Sequence, residues 1–442
     1  MASMDTRLVA DQMANGGKGV EKEEHQQVYD DGTNTFFWQA HTISAGVLIG
    51  LGLIYVALFE QPHNDTMFNI QRGVVAVVIV FILIGMIHMP NGPFVRPHPA
   101  LWRLVLCVLI LYVLLLIFLL FQTTDDSRRF LTLIDSNLGK PLKETNYAVD
   151  CRVYAPDHPN GPFSNIMEKM DVFVLCHFFG WWGKAVIIRD WFLLTVLSIG
   201  FELVEYTLEV HLPNFGECWW DHWIMDALVC NSLGILCGML TCEYLEMKTY
   251  QWRGLWKTPT LKGKMKRFVG QFMPYSWTSY RWAYTESFGR FSAICLLTIW
   301  FLMQEVNTFY LKAILWYPPE HMINVIREII YGFGGACATH EIYEFLSTKD
   351  KNARVGRYVW LTFVAIFCEA LLIVKMGWDV VTIPLPRTAV VFWTTLAGVF
   401  LIWVVWHFTL PFKHMPIIGP HYRRAMTKLS YIYMYIGLYK SS

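Results

Sequence analysis

The sequence carries little charge for its length. Only 16% of its 442 residues are Asp, Glu, Lys or Arg, whereas soluble proteins carry roughly a quarter. Hydrophobic residues make up 55%, and three uncharged stretches, Thr42–Phe59, 104–121 and 388–406, have about the length that crosses a bilayer. The composition excludes an ordinary soluble protein and predicts an all-α, polytopic membrane protein.

Three other features are missing. The first 40 residues contain no early apolar segment, so we expect no cleavable signal peptide and a first span that acts as a signal anchor. The ten cysteines include no CxxC pair of the zinc-binding type. There is no repeat of 20–50 residues and no clear inverted repeat, and a net charge of +1 gives no reason to expect a nucleic-acid partner.

Hydropathy predicts about ten membrane spans in one membrane domain, 41–410, between a polar tail at 1–40 and another at 411–442. The fourth to ninth spans are interrupted by charges. The ten predicted spans are 42–59, 73–89, 101–121, 171–188, 191–210, 222–244, 291–313, 321–346, 358–376 and 388–410.

Positive charge predicts the orientation, because cytoplasmic loops are enriched in Lys and Arg. The connection 247–290 holds nine such residues, 347–357 holds four and the segment after 410 holds five, whereas the loop between the fifth and sixth spans holds none. We therefore expect both termini in the cytoplasm. The long connection 122–170, with six Lys or Arg, then lies on the lumenal side.

Two lumenal features follow from this topology. Asn64 begins an Asn-Asp-Thr glycosylation sequon, although it lies very close to the membrane and its occupancy stays open. Cys151 and Cys218 both fall on the lumenal side and could form a disulfide.

Polar residues from three separate stretches converge at the same depth near the lumenal surface. The fourth span contributes His177, the fifth Glu202 and Glu205, and the sixth Asp226 and Asn231, while the loop between the last two contributes Asn214, Glu217 and Asp221. The i,i+3 spacing of Glu202 and Glu205 places both on one helix face.

Such carboxylates are costly in lipid. Each costs about 2.5–3.5 kcal/mol at the bilayer centre, or on the order of 8–10 kcal/mol for Glu202, Glu205 and Asp226 together. The neighbouring spans offer no matching Lys or Arg, because Lys184 and Arg189 lie at the cytoplasmic end. A Ca²⁺ ion, which takes six to eight oxygen ligands, fits these donors best. Zinc fits less well because the site has few histidines and one cysteine.

Simpler interpretations compete with this one. Glu209 and Asp221 could merely reach water, and His177 could be an ordinary buried histidine. A cation-coupled transporter would also place carboxylates in the membrane, but the acids lie near one surface and only Glu243 and Glu246 extend toward the other. A non-catalytic lipid-binding scaffold would not need His177.

A second dense passage is "NGPFVRPHPALWR", 91–103, on the cytoplasmic side. Arg96, His98 and Arg103 could hold a lipid phosphate there, or simply anchor the loop by the positive-inside effect. The basic run "KGKMKR", 262–267, is open to the same two interpretations.

Several segments together resemble the eukaryotic base-exchange phosphatidylserine synthases. They are "RPHPALWR", "HFFGWWGKAVIIRDW", "FELVEYTLE", "LPNFGECWWDHWIMDALVCN" and "GKMKR…QFMPYSW", and the opening "VYDDGTNTFFWQAHT" is most similar to the second type of this family. The resemblance implies a Ca²⁺-dependent enzyme of the endoplasmic reticulum, or of its mitochondria-associated membrane, with a lumenal site. It would exchange the ethanolamine of phosphatidylethanolamine for L-serine and yield phosphatidylserine. Phosphatidylcholine is the alternative donor.

The resemblance also implies roles for individual residues. His177 is the expected catalytic residue, Arg96 belongs to an expected regulatory segment, and Asn214 and Asn231 are expected to bind substrate. From the residues themselves, Trp220 could line a headgroup pocket, since aromatic faces suit an ammonium group. Trp219, Trp220 and Trp223 could instead form an interfacial aromatic belt. The expected metal ligands are Glu202, Glu205, Glu217, Asp221 and Asp226. A homodimer is one option that nothing in the sequence indicates.

The expected chemistry centres on His177, the nearby group whose ordinary pKa suits proton transfer at neutral pH. It could deprotonate the serine hydroxyl or itself attack phosphorus, and the sequence leaves both open. Glu217 or Asp221 could bind the amino groups of serine and ethanolamine. The DGxxAR motif of cytidine-diphosphate-alcohol transferases is absent, so we do not expect a CDP-diacylglycerol donor.

Overall fold

The computed structural model describes residues 42–61, 63–94, 98–142, 148, 150–170, 172–212, 215–246, 259–270, 280–350 and 352–409. Every regular element in these ranges is a helix. In chain order they are α1 Thr42–Phe59, α2 Thr66–His88, α3 Pro99–Leu120, α4 Thr124–Ile134, α5 Ser164–Lys169, α6 Val172–Ile188, α7 Trp191–Leu208, the π-helix Asp221–Asn231, α8 Ser232–Glu246, α9 Leu261–Gly270, α10 Phe288–Leu315, α11 Met322–Ser347, α12 Arg357–Met376, α13 Trp378–Val381 and α14 Arg387–Thr409.

The all-helical, multi-spanning fold predicted from the sequence is confirmed. Each of the ten predicted spans falls on a helix. Within the described ranges seven helices are long and apolar enough to cross a membrane, and Ser44–Phe59 and Val174–Ile188 are shorter apolar helices. The number of ten spans, the orientation and the polar tails stay predictions, since residues 1–41 and 410–442 lie outside the described part.

Two compact units divide the chain. One contains 1–40 and 250–270, and its described part is 259–270 with helix α9, which carries the basic run. The other contains 41–249 and 271–442 and holds the remaining helices together with every candidate site residue that is described below.

Helices α6 and α8 approach each other closely through two glycines on α8. A Cβ at Gly234 would lie 2.5 Å from the Phe178 carbonyl oxygen, and one at Gly238 would lie 2.5 Å from the Ala185 Cβ. Small residues at i,i+4 allow membrane helices to pack backbone against backbone. This contact positions α6, which carries His177, against the segment that carries Asp226.

A buried ion pair joins helices of the same unit away from the acidic residues. The Arg327 guanidinium donates to both oxygens of Glu369 at 2.8 and 2.7 Å, and both side chains are almost fully buried. Tyr112 of α3 and Asn307 of α10 donate to the same carboxylate. Because the pair is bidentate and its remaining acceptor sites are hydrogen-bonded, it can stay charged in a membrane protein.

We expect Gly238→Val to lower the stability of the protein by about 1–3 kcal/mol, because the added side chain overfills the α6–α8 contact. The thermal unfolding midpoint of the detergent-solubilised protein measures the effect. Gly183→Val is the matched control, since a Cβ at Gly183 meets nothing within 4 Å. Equal midpoints for the two variants would contradict this account of the packing.

Candidate functional site

Helix α7 supplies two buried carboxylates. It begins after Asp190, whose side chain caps the Leu193 N–H, and it is apolar until Glu202 and Glu205 in its last two turns. The exposed fractions of these two residues are 0% and 6%. Both carboxylates contact His222, so the i,i+3 spacing does place them on one face.

A π-helix supplies the opposite side of the site. Asp221, Asp226 and Asn231 are the first, sixth and last of its eleven residues. In an α-helix, residues five apart are rotated by about 140° from one another. Hydrogen bonding from i to i+5 turns them toward a common side. All three side chains are buried.

The inner cluster consists of Glu202, Glu205 and His222. One ligand atom from each lies within 4.8 Å of the others. The His222 Nδ1 atom is 3.3 Å from Glu202 Oε2 and 3.8 Å from Glu205 Oε2. All three side chains are shielded from solvent, so this cluster has no direct access to bulk water.

Asn231 completes the inner cluster. Its Nδ2 atom donates to Ser198 Oγ and to Glu202 Oε1, both at 3.0 Å. Its Oδ1 atom is buried and has no hydrogen-bond partner within the described part of the chain. A buried acceptor without a partner costs about 1–3 kcal/mol. This oxygen is therefore available to a donor or a cation.

The outer cluster consists of Glu217, Asp221 and Asp226. One oxygen from each lies within 4.8 Å of the others. Lys169 Nζ is 3.7 Å from Asp221 Oδ2, and His177 Nδ1 is 3.4 Å from Asp226 Oδ1. The His177 side chain is 30% exposed, which makes the outer cluster the accessible half of the site.

Glu217 lies in the loop that precedes the π-helix. Burial raises its pKa to about 7, and the negative charges of Asp226 and Asp221 act in the same direction, whereas His222 and His177 oppose the shift. The carboxyl group therefore changes its charge close to neutral pH. A cation bound beside it would have to displace its proton at lower pH.

Two features of the site were missed in the sequence. The sequence predicted no balancing Lys or Arg in the neighbouring spans and gave no attention to the connection before the fourth span, where Lys169 at the end of α5 pairs with Asp221. His177 is also not the only imidazole, since His222 lies between the two glutamates of α7. The signal was visible, since His222 lies four residues before Asp226 and this spacing places both on one face of an α-helix.

The disulfide between Cys151 and Cys218 is present. It ties the connection before α5 to the acidic loop, one residue from Glu217. Trp220 is buried beside it and donates its indole N–H to the Cys151 carbonyl at 3.1 Å. In the structure this indole connects the acidic loop to the connection before α5. The other two tryptophans of this segment, Trp219 and Trp223, are exposed.

The remaining predicted residues lie apart or outside the described ranges. Asn214 and Arg96 fall outside them. His98 caps helix α3 by accepting from the Ala100 N–H at 3.0 Å, so its expected contact with lipid phosphate stays a prediction. Glu209 is exposed, as the water-facing interpretation of that residue predicts.

The arrangement combines a buried acidic interior with an accessible mouth. Carboxylate and amide oxygens suit hard divalent cations, and the two clusters together bring all five predicted metal ligands to one place. A partly exposed imidazole beside a carboxylate is a suitable group for proton transfer or nucleophilic attack. The site therefore has the parts of a metal-assisted transfer reaction.

Comparison with known proteins decides the family. Residues 97–377 match the family model described as phosphatidyl serine synthase, a range that includes both clusters and His177. The chain belongs to this family.

Named members of the phosphatidyl serine synthase family resemble most of the chain. Phosphatidylserine synthase 2 from Homo sapiens is 47% identical over 401 residues, which is 91% of this chain and 82% of the human protein. Its Danio rerio counterpart is 46% identical over 382 residues, or 86% and 84% of the two chains. CDP-diacylglycerol–serine O-phosphatidyltransferase 1 from Arabidopsis thaliana is 38% identical over 386 residues, or 86% and 89%.

Proposed function

We propose that this phosphatidyl serine synthase is a calcium-dependent base-exchange enzyme. It replaces the ethanolamine of phosphatidylethanolamine with L-serine and releases ethanolamine. The observation that carries the proposal is the outer cluster, in which three carboxylates lie together beside a partly exposed His177. The vertebrate relatives are named phosphatidylserine synthase 2, which agrees with serine as the incoming headgroup.

The donor set fits calcium. Glu217, Asp221 and Asp226 offer six carboxylate oxygens, Glu202 and Glu205 lie behind them, and Asn231 holds an unpartnered buried oxygen. Such an all-oxygen set favours Ca²⁺ over softer metals. When bound, the ion supplies the positive charge that an anionic phosphodiester needs in an acidic site.

The reaction needs no further reactant. The Oγ–P bond to serine forms and the bond between phosphorus and the ethanolamine oxygen breaks. The proton of the serine hydroxyl passes through His177 to the departing ethanolamine oxygen. Asp226 lies at Nδ1 of His177, which orients the ring and leaves Nε2 to face the substrate.

His177 can act in two ways at this position. As a general base it takes the serine proton during direct attack on phosphorus. As a nucleophile it forms a phospho-histidine intermediate before serine arrives. A burst of ethanolamine release in the absence of serine, close to one per enzyme, distinguishes the covalent route from the direct one.

The disulfide supports a lumenal site. Disulfides persist in oxidising compartments such as the lumen of the endoplasmic reticulum. Cys218 of this disulfide lies in the same loop as Glu217, so we assign the mouth of the outer cluster to that side. This placement agrees with the distribution of Lys and Arg along the chain.

A second donor is favoured by one finding. The plant relatives are named CDP-diacylglycerol–serine O-phosphatidyltransferases, which implies a nucleotide-activated lipid in those proteins. The chain has no DGxxAR motif for such a donor. We therefore propose phosphatidylethanolamine as the lipid donor and treat CDP-diacylglycerol as the second candidate donor.

The purified enzyme should convert labelled L-serine to phosphatidylserine when it is given phosphatidylethanolamine and Ca²⁺, with one ethanolamine released per product. Omission of the lipid, or addition of a calcium chelator, should abolish the reaction. Incorporation of serine from CDP-diacylglycerol with release of CMP, and none from phosphatidylethanolamine, would contradict the proposal in favour of the second donor.

We expect His177→Ala to lower the exchange rate at least about a hundredfold, because general acid–base catalysis contributes roughly 10²–10⁴ in rate. His158→Ala is the control, since His158 lies outside the site, in the connection before α5, and its ring accepts from the Asn160 N–H. An unchanged rate in a folded His177→Ala protein would remove this residue from the chemistry.

Calcium dependence tests the metal ligands. Glu202→Gln and Asp226→Asn should each raise the half-saturating calcium concentration at least about tenfold, because even losing a partner of a metal ligand costs 10–100-fold in affinity. Glu209→Gln is the control, since Glu209 is exposed beyond the end of the same helix. Calcium curves that overlay the parent curve would exclude both residues as ligands.

The same titration should depend on pH through Glu217. Since its pKa is raised to about 7, this carboxyl is protonated increasingly below pH 7. One competing proton should raise the half-saturating calcium concentration roughly fivefold between pH 7 and pH 6. Glu217→Gln should remove the contribution of this proton, and a pH dependence as steep as that of the parent enzyme in the variant would contradict a role for Glu217.

A further inference from the structure

A lysine near the acidic site takes part in no salt bridge within the described part of the chain. Lys312 is half-buried in the last turn of helix α10. Its Nζ atom lies 4.7 Å from the centre of the Phe309 ring. Among the described residues it forms no ion pair and no side-chain hydrogen bond. The carboxylates whose charges act on it are those of Glu205 and Glu320. A buried cation at membrane depth is costly and usually marks a functional site.

The ring under Lys312 also contacts both acid-bearing segments. Phe309 lies 6.1 Å from Phe201 of α7 and 4.6 Å from Phe215 in the acidic loop, measured between ring centres. Phe201 precedes Glu202 directly, and Phe215 lies two residues before Glu217. The Lys312 ammonium therefore lies over a ring that packs against residues next to Glu202 and Glu217.

The C-terminal ends of α7 and α10 lie side by side. A Cβ at Gly200 of α7 would lie 3.7 Å from Leu302 of α10, and His211, just beyond α7, contacts the Tyr310 hydroxyl of α10 at 2.6 Å. Because the contacts advance along both helices in the same order, the two helices run in the same direction. Glu205 follows Phe201 by four residues and Lys312 follows Phe309 by three, or about 6 and 4.5 Å along parallel axes. The ammonium and the Glu205 carboxylate are thus at similar depth, and their charges interact.

We propose that Lys312 binds the α-carboxylate of L-serine and so selects serine as the incoming amino alcohol. This inference rests on the proposed function. Serine and ethanolamine share an amino group and a hydroxyl group, and serine alone carries a carboxylate. An acidic site attracts both ammonium groups but repels that carboxylate. A cation at the edge of the site offsets the repulsion for serine only.

The phosphate of the lipid is the other anion that Lys312 could hold, and the two ligands have different consequences. Phosphate is common to every exchange reaction, whereas the carboxylate is present only when serine enters. An enzyme that releases ethanolamine can also take it up, since the forward and reverse reactions share one path. Incorporation of labelled ethanolamine into phosphatidylethanolamine therefore reports on the site without the carboxylate.

The test compares labelled L-serine with labelled ethanolamine as acceptors for the full-length enzyme in lipid and detergent with Ca²⁺. Lys312→Met should lower the ratio of serine to ethanolamine kcat/KM at least about tenfold, the range expected for one charge-assisted hydrogen bond. The loss should appear as a raised KM for serine. Lys312→Arg, which keeps the charge, should retain most of the serine preference.

Lys140→Met, at an exposed lysine in the connection after α4, is the control for the loss of one positive charge. An equal fall in both acceptors for Lys312→Met would assign the lysine to phosphate and overturn the proposal, as would an unchanged ratio. If Lys312→Met does not fold, the ratio for Lys312→Arg and for Lys312→Gln decides. Absence of both exchanges in the parent enzyme would instead contradict the proposed function itself.

Discussion

Mutual repulsion of carboxylates in a volume shielded from water is the constraint on which the rest of this structure depends. Five acidic side chains occupy two adjoining clusters, and at an effective dielectric constant of about 20 two like charges 4 Å apart cost about 4 kcal/mol. His222 and Lys169 offset part of this charge, and Asn231 donates to Glu202. With all five carboxylates ionised the formal balance is negative, and the proposal that the site binds a cation rests on this charge.

The scaffold keeps these groups together at several levels. The π-helix turns Asp221, Asp226 and Asn231 toward one side, and the disulfide at Cys218 fixes the loop that carries Glu217. The glycine contact between α6 and α8 brings His177 to Asp226. Farther away, the Arg327–Glu369 pair joins the neighbouring helices. The π-helix, the disulfide and the glycine contact are local, yet each determines where a charged atom of the site lies.

The sequence alone predicted the helical membrane fold, since a long uncharged segment in lipid can satisfy its backbone hydrogen bonds internally as a helix. It also predicted the convergence of Glu202, Glu205 and Asp226, because the spans that carry them are adjacent in the chain. It did not predict the contacts of His222 or the ion pair of Lys169. The ion pair of Lys169 depends on the fold of a long connection, which leaves no periodic pattern, whereas the i,i+4 spacing of His222 and Asp226 did carry a signal. Trp220 shows the same limit. The residue type alone does not tell whether a tryptophan is buried beside a disulfide or lies in an interfacial aromatic belt.

The central claim is that these oxygens share a divalent ion, and a density map of the detergent-solubilised enzyme tests it most directly. Maps obtained with Ca²⁺ and with a chelator should differ by a peak bounded by Glu217, Asp221 and Asp226, with ligand distances of about 2.3–2.6 Å. Identical maps in which these carboxylates are separated and directed to different partners would contradict the account.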